Sequence, residues 1–143
     1  MDQKMLFVYN PRAGKAQIRS NLLDIIDIFV KAGYEVTAYP TQAAGDAIKA
    51  VKARHEGYDI VVCSGGDGTL DEVVSGMMQC EEKLPIGYIP AGSTNDFANS
   101  LKIPKSMINT QYCSYIIHHP LNITSVIIIA YCKNNVYNYL CRL

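Results

Sequence analysis

The 143-residue sequence has no net charge, no long apolar run and no CxxC cysteine pair. A formal charge of zero at pH 7 gives no support for a sequence-independent nucleic-acid binder, which needs a strongly basic surface, so we expect no nucleic-acid partner. The longest apolar candidate, Ile123–Cys132, has ten residues, whereas a membrane-spanning helix needs about 18. The five cysteines are odd in number, which favours reduced thiols and a cytoplasmic protein over a disulfide framework.

Glycine and acidic residues are absent from the last third of the sequence. All ten glycines lie at or before Gly92, and all thirteen acidic residues lie at or before Asp96. Residues 1–96 carry nine basic and thirteen acidic side chains, a net charge of −4, whereas residues 97–143 carry four basic ones. We therefore predict a domain over residues 1–105 and a divergent tail over residues 106–143. A shifted reading frame or a truncation would each explain such a tail, and the sequence leaves both open.

Apolar runs alternate with helical patterns through the first hundred residues. The predicted strands and helices alternate over residues 5–9, 18–32, 34–39, 44–55, 58–63, 70–79, 86–89 and 95–101, beginning with a strand. This alternation predicts an α/β fold in which a parallel sheet has helices on both faces. Ligands of such sheets bind beyond the carboxyl ends of the strands. The turns that contain Gly14, Gly65 and Gly92 should emerge there together.

The turn Gly65–Thr69 follows a buried strand and precedes a helix, as phosphate-binding turns do. Glycines with positive φ would let backbone amides approach phosphate oxygens, and the helix N-terminus would add partial positive charge. Thr69 offers a hydroxyl to a phosphate, and Asp67 offers a carboxylate to Mg²⁺. The alternative is a tight turn in which Asp67 caps the helix. Asp71 and Glu72 either complement the helix dipole or add a metal or ribose contact.

Two further turns offer polar groups at the same edge of the predicted sheet. After the first strand, Asn10 either hydrogen-bonds a nucleotide or closes an Asx turn. After the fourth strand, Ser93 and Thr94 offer hydroxyls, whereas Asn95 and Asp96 are suited to capping the short helix that follows. Neither turn alone indicates a nucleotide site, and the prediction depends on their combination with Gly65–Thr69.

Together the three turns resemble the diacylglycerol kinase catalytic domain family, which includes bacterial soluble lipid kinases and sphingosine kinases. The matching segments are residues 10–14, 65–73 and 90–98, and residues 41–47 are similar to the family segment after the second strand. The resemblance implies a fold like the N-terminal domain of phosphofructokinase and NAD kinase. It also implies ATP and Mg²⁺ as cofactors, phosphoryl transfer to a lipid hydroxyl such as that of diacylglycerol, and peripheral membrane contact.

The resemblance also assigns the nucleotide contacts position by position. They are Asn10, Thr41, Gly65, Gly66, Asp67, Gly68, Thr69, Leu70, Asp71, Glu72 and Thr94, with Asp67 also the expected Mg²⁺ ligand. Two positions depart from the family pattern, because Asp71 stands where Asn is usual and Ser93 where Thr is usual. Asp71 adds a negative charge near the expected phosphates.

Family members continue into a second, β-rich domain that helps to bind the lipid and supplies a catalytic carboxylate. The resemblance fades after Lys105, and no acidic residue follows Asp96, so we expect that domain to be missing and the enzyme to be incomplete. A non-catalytic nucleotide-binding module and an NAD kinase-like protein are the alternatives, although residues 95–98 favour the lipid kinases. The apolar stretch Ile123–Cys132 either packs as a strand or forms a homodimer or aggregation surface.

Overall fold

The computed structural model describes residues 3–100 and the backbones of three later strands, residues 114–118, 125–132 and 135–142. The elements in chain order are β1 (Gln3–Tyr9), α1 (Ile18–Lys31), β2 (Tyr34–Pro40), α2 (Asp46–Arg54), a 3₁₀ turn (His55–Gly57), β3 (Ile60–Gly65), α3 (Asp67–Met78), β4 (Ile86–Pro90), α4 (Asp96–Ser100), β5 (Ser114–His118), β6 (Ser125–Cys132) and β7 (Asn135–Arg142). Strands and helices alternate through α4, as the sequence predicts.

The described strands form one sheet in the order β2-β1-β3-β4-β5-β6-β7. Strands β1 to β4 pair in parallel, which confirms the predicted α/β fold, and β5 to β7 extend the sheet with antiparallel pairs. Most of the apolar stretch Ile123–Cys132 is strand β6, which pairs with β5 and β7. The first two residues of that stretch and the predicted boundary near residue 105 lie outside the described residues, so the boundary stays a prediction.

Side chains of the central strands enter two hydrophobic cores, one on each face of the sheet. On one face, Val61 and Tyr88 pack beneath the later helices, with Leu6, Val8, Ala47, Val51, Cys63, Leu70, Val73, Met77, Cys80 and Ala98. On the other face, Phe7 and Val62 pack against Phe29 of α1. The rings of Phe7 and Phe29 meet edge to face with centroids 5.7 Å apart, a favourable aromatic geometry. Helices therefore cover both faces of the sheet, as predicted.

The connection between β3 and α3 is tighter than predicted. Strand β3 ends at Gly65 rather than at residue 63, because Gly65 still pairs with Pro90 of β4. Helix α3 begins at Asp67 rather than at about residue 70, because extended backbone at Gly66 forms the N-cap. A single residue, Gly66, thus separates the strand from the helix, and the helix N-terminus lies directly at the carboxyl edge of the sheet.

The two cysteines within residues 3–100 are free thiols. Cys63 and Cys80 are buried, and loss of hydration raises the pKa of both thiols above the ordinary value. Both thiols therefore stay neutral at pH 7. No helix in the described part of the chain has the length and apolar character that crossing a bilayer requires.

Candidate functional site

The turns after β1, β3 and β4 meet at the carboxyl edge of the sheet through direct backbone contact. A Cβ atom on Gly92 would lie 2.5 Å from Cα of Gly66, and one on Gly14 would lie 2.5 Å from the carbonyl oxygen of Ala91. Any side chain at these positions would force the turns apart. The structure thus brings together the three glycine turns that the sequence predicted to share this edge.

The glycines of the turn after β3 serve close packing rather than unusual backbone angles. The sequence allowed positive φ at these glycines, but Gly66 has φ −81° and ψ −173°, and neither Gly65 nor Gly68 has a positive φ. None of the three glycines therefore uses the positive φ that the residue permits. A Cβ atom on Gly65 would lie 2.6 Å from Cβ of Thr69, because the chain folds back from the strand directly into α3. Gly65 is required because there is no space for a side chain.

The N-terminus of α3 presents backbone amides at this edge. The amides of Thr69 and Leu70 donate to the carbonyl oxygen of Gly66, at 3.1 and 3.2 Å. The amides of Asp67 and Gly68 are at the first two helical positions, which have no partner within a helix. They lie at the positive end of the helix dipole. The side chains of Thr69 and Leu70 are buried, so any contact that Leu70 makes to a ligand is through its backbone.

Asp67 joins the start of α3 to the start of α4. Its Oδ2 accepts the amide of Asp96 at 2.7 Å, and its Oδ1 accepts the amide of Phe97 at 3.1 Å. Asp67 is therefore a helix cap, as the alternative interpretation held, but it caps α4 rather than its own helix. Among the described residues, no group of three His, Cys, Asp or Glu side chains is arranged to hold a metal ion.

Glu72 joins α3 to the N-terminus of α2. Its Oε1 accepts the amide of Gly45 at 2.8 Å, and its Oε2 accepts the amide of Ala47 at 3.3 Å. The residues are 25 and 27 positions apart in the chain, so no local capping pattern could have indicated this role. Asp71, its neighbour in sequence, is exposed.

The remaining predicted contacts follow adjacent parallel strands. The Oδ1 of Asn10 accepts the amide of Arg12 at 2.9 Å, which is the Asx turn that the sequence allowed. The Thr41 amide donates to Tyr9 at the end of β1, at 2.9 Å, and Thr94 is exposed in the turn after β4. Because the strand order is β2-β1-β3-β4, these residues and the Gly65 turn line one edge in the order Thr41, Asn10, Gly66 and Thr94.

A buried tyrosine that the sequence did not single out fixes the end of β3. The Tyr88 hydroxyl donates to the carbonyl oxygen of Gly65 at 3.1 Å, and the Ala91 amide donates to the same oxygen at 2.8 Å. Burial, with smaller contributions from Cys63 and Asp67, raises the pKa of Tyr88 well above its ordinary value. The hydroxyl therefore remains a neutral donor at physiological pH.

Replacing Gly92 by alanine should push the turns apart. We expect Gly92→Ala to lower the free energy of unfolding by about 1–3 kcal/mol, the usual cost of overpacking. Gly66→Ala is the matched control, because its Cβ atom would lie 3.4 Å from Cα of Gly92 in ordinary contact and its φ suits any residue. Its stability should change by less than about 0.5 kcal/mol. Urea denaturation followed by circular dichroism measures both, and equal losses would contradict the close contact of Gly92 with Gly66.

Removing the charge of Glu72 should weaken the link between α3 and α2. In Glu72→Gln an amide group would face one of the two backbone donors, so we expect a loss of about 1–2 kcal/mol of unfolding free energy. Asp71→Asn makes the same charge change at an exposed neighbour and should stay within about 0.5 kcal/mol of the parent protein. Faster hydrogen exchange at the amides of Gly45 and Ala47 should accompany the first change alone. Unchanged exchange there would refute the capping role.

A family model and individual relatives match this chain, and both carry the name diacylglycerol kinase. The model of the family "Diacylglycerol kinase catalytic domain" matches residues 4–126. A diacylglycerol kinase of Staphylococcus aureus strain bovine RF122 / ET3-1 is 42% identical over 109 residues, and that of strain JH9 is 41% identical over the same length. Each match covers 76% of this chain and 35% of the relative, so this chain spans about a third of the length of these relatives.

A solved structure with a similar fold carries the same name. The crystal structure of a diacylglycerol kinase from Bacillus anthracis strain Sterne superposes with a TM-score of 0.63 at 27% sequence identity. The superposition covers 80% of this chain and 41% of that protein. The likeness in sequence and the likeness in structure thus point to one family.

Proposed function

Because the chain belongs to the diacylglycerol kinase catalytic domain family, we propose that its carboxyl-edge site binds Mg-ATP as the phosphoryl donor for a lipid hydroxyl. The observation that carries the proposal is the contact of the Gly14, Gly66 and Gly92 turns beside the N-terminus of a twelve-residue helix. This arrangement supports binding of a phosphate chain, which carries negative charge and many acceptor oxygens.

The residues present fit a phosphate group. The first amides of α3 point out of the helix at its positive end, where anions are stabilised. The absence of side chains at Gly66 and Gly92 leaves backbone, rather than Cβ atoms, beside those amides. Asn10 and Thr94, which follow the neighbouring strands, would contact the nucleotide on either side of Gly66.

Asp67 also fits a role next to Mg²⁺. A carboxylate offers about four acceptor sites, and Asp67 uses two of them for the amides that begin α4. The others remain for Mg²⁺ or a water bound to it, because Mg²⁺ is usually held by one or two carboxylates together with phosphates and water. When bound, the ion would neutralise phosphate charge and polarise the transferred group. Asp67 would thereby connect the nucleotide to α4.

The catalytic base is proposed to come from outside the donor site. A lipid hydroxyl must give up its proton as the phosphoryl group is transferred. No acidic residue follows Asp96 in this sequence, and the chain spans about a third of its relatives. We therefore propose that these residues hold ATP, and that the base and the lipid-binding surface belong to a second domain, as the resemblance implies.

Calorimetry with Mg-ATP tests the donor site. The purified chain should bind one nucleotide in the presence of Mg²⁺, and Asp67→Ala should weaken that binding at least tenfold, or by about 1.4 kcal/mol. Asp27→Ala removes an equal charge from the exposed outer side of α1 and should bind like the parent protein. Thermal unfolding of each variant shows whether lost binding reflects lost structure. No binding by the folded parent protein at millimolar nucleotide would overturn the proposal.

A turnover assay tests the placement of the base. With labelled ATP and diacylglycerol in detergent micelles, we expect the chain to bind nucleotide without forming labelled lipid above the Asp67→Ala background. Measurable lipid phosphorylation would show that the base lies within these 143 residues. Phosphorylation of NAD instead of the lipid would favour the NAD kinase-like alternative.

A further inference from the structure

Asn95 is a buried residue in a backbone conformation that few side chains tolerate. It is 5% exposed and has φ +52°, in the left-handed region. Its side-chain amide bonds to both polar backbone groups of Gly92. The Oδ1 accepts the Gly92 amide at 2.9 Å, and Nδ2 donates to the Gly92 carbonyl oxygen at 2.8 Å. Both polar groups of the side chain thus fix Gly92.

The sequence left open that Asn95 caps α4, and the structure shows that its side chain bonds to Gly92 instead. A capping residue accepts the amide of the second or third residue of its helix. The amides that begin α4, those of Asp96 and Phe97, are both bonded to Asp67 instead. Helix capping therefore does not account for the side chain of Asn95, and its two bonds to Gly92 need another explanation.

Gly92 is the residue on which the three turns depend. A Cβ atom there would lie 2.5 Å from Cα of Gly66 and 3.3 Å from the Gly66 nitrogen, so the two backbones are in direct contact. A Cβ atom on Gly14 would lie 3.1 Å from the carbonyl carbon of Gly92. The Ala91 amide donates to the Gly65 carbonyl oxygen, and Asn95 bonds to Gly92, the residue after Ala91.

We propose that Asn95 is a positioning residue for the nucleotide: it acts through Gly92 on the amides of Gly66 to Gly68 without contacting the nucleotide itself. This inference rests on the proposed function, since it concerns the affinity of the same site. If both bonds to Gly92 are lost, the turn after β4 can move away from Gly66, and the phosphate-facing amides lose the backbone that packs against them. Affinity for the phosphate chain then falls.

Asn95→Gly tests the proposal cleanly, because glycine accepts φ +52° without strain but cannot bond to Gly92. We expect the dissociation constant of Mg-ADP to rise about tenfold, as the loss of two hydrogen bonds of ordinary strength allows. The amide resonances of Gly66 and Gly68 should shift in the nucleotide-free protein, whereas those of α1 should not. Ser100→Ala is the matched control, since it removes a side-chain hydrogen bond of 2.7 Å within the same segment, to the Phe97 carbonyl oxygen.

The outcomes separate the two proposals. If the parent chain binds Mg-ADP and Asn95→Gly binds it equally well, the role of Asn95 is refuted while the proposed function stands. If the parent chain binds no nucleotide, the proposed function fails, and with it the nucleotide role of Asn95. A loss of thermal stability with unchanged Gly66 and Gly68 resonances would show that Asn95 is merely structural, which also overturns the inference. A tenfold loss of affinity with shifted resonances supports it.

Discussion

Backbone contact between Gly66 and Gly92 is the constraint on which the rest of the site depends. The carboxyl ends of two parallel strands lie side by side, and the two turns that follow approach so closely that a methyl group on Gly92 would not fit. The short connection from β3 to α3 follows from this constraint, because a longer loop would not bring the helix amides to the same place. Tyr88 and Ala91, which both bond to the Gly65 carbonyl oxygen, hold the strand end that makes the contact possible.

Two carboxylates connect helix α3 to the neighbouring helices. Asp67 holds the first amides of α4, and Glu72 holds the amides at the start of α2. Each bond joins a carboxylate to the positive end of a helix, so electrostatic attraction and hydrogen bonding both stabilise the contact. Two of the residues that the family resemblance assigns to the nucleotide thus also join the helices at this edge of the sheet.

The sequence predicted the elements that follow from local residue patterns, but not the hydrogen-bond partners of individual side chains. The alternation of apolar runs indicated the strands, the helices on both faces and the common edge of the three turns. The role of Glu72 and the partner of Asp67 depend on which segments meet in space, because the bonded residues are 25 to 30 positions apart. Asn95 bonds to Gly92 only three positions away, but the sequence did not show that its side chain would bond there rather than cap α4. The sequence could not show whether Gly65, Gly66 and Gly68 provide a positive φ or space for close packing, because both requirements select glycine.

The charge distribution explains why such a site would depend on backbone groups and Mg²⁺. Residues 1–96, which contain every predicted nucleotide contact, carry a net charge of −4, and the whole chain carries none, so the overall charge does not attract a polyphosphate. Asp67 and Asp71 add negative charge at the turn itself. Attraction must then come from groups within a few ångströms, namely the open amides of α3 and a cation held by the carboxylate. Amides act over such short distances that small displacements matter, so a side chain that never touches the nucleotide, such as Asn95, would control the affinity of the proposed site through Gly92.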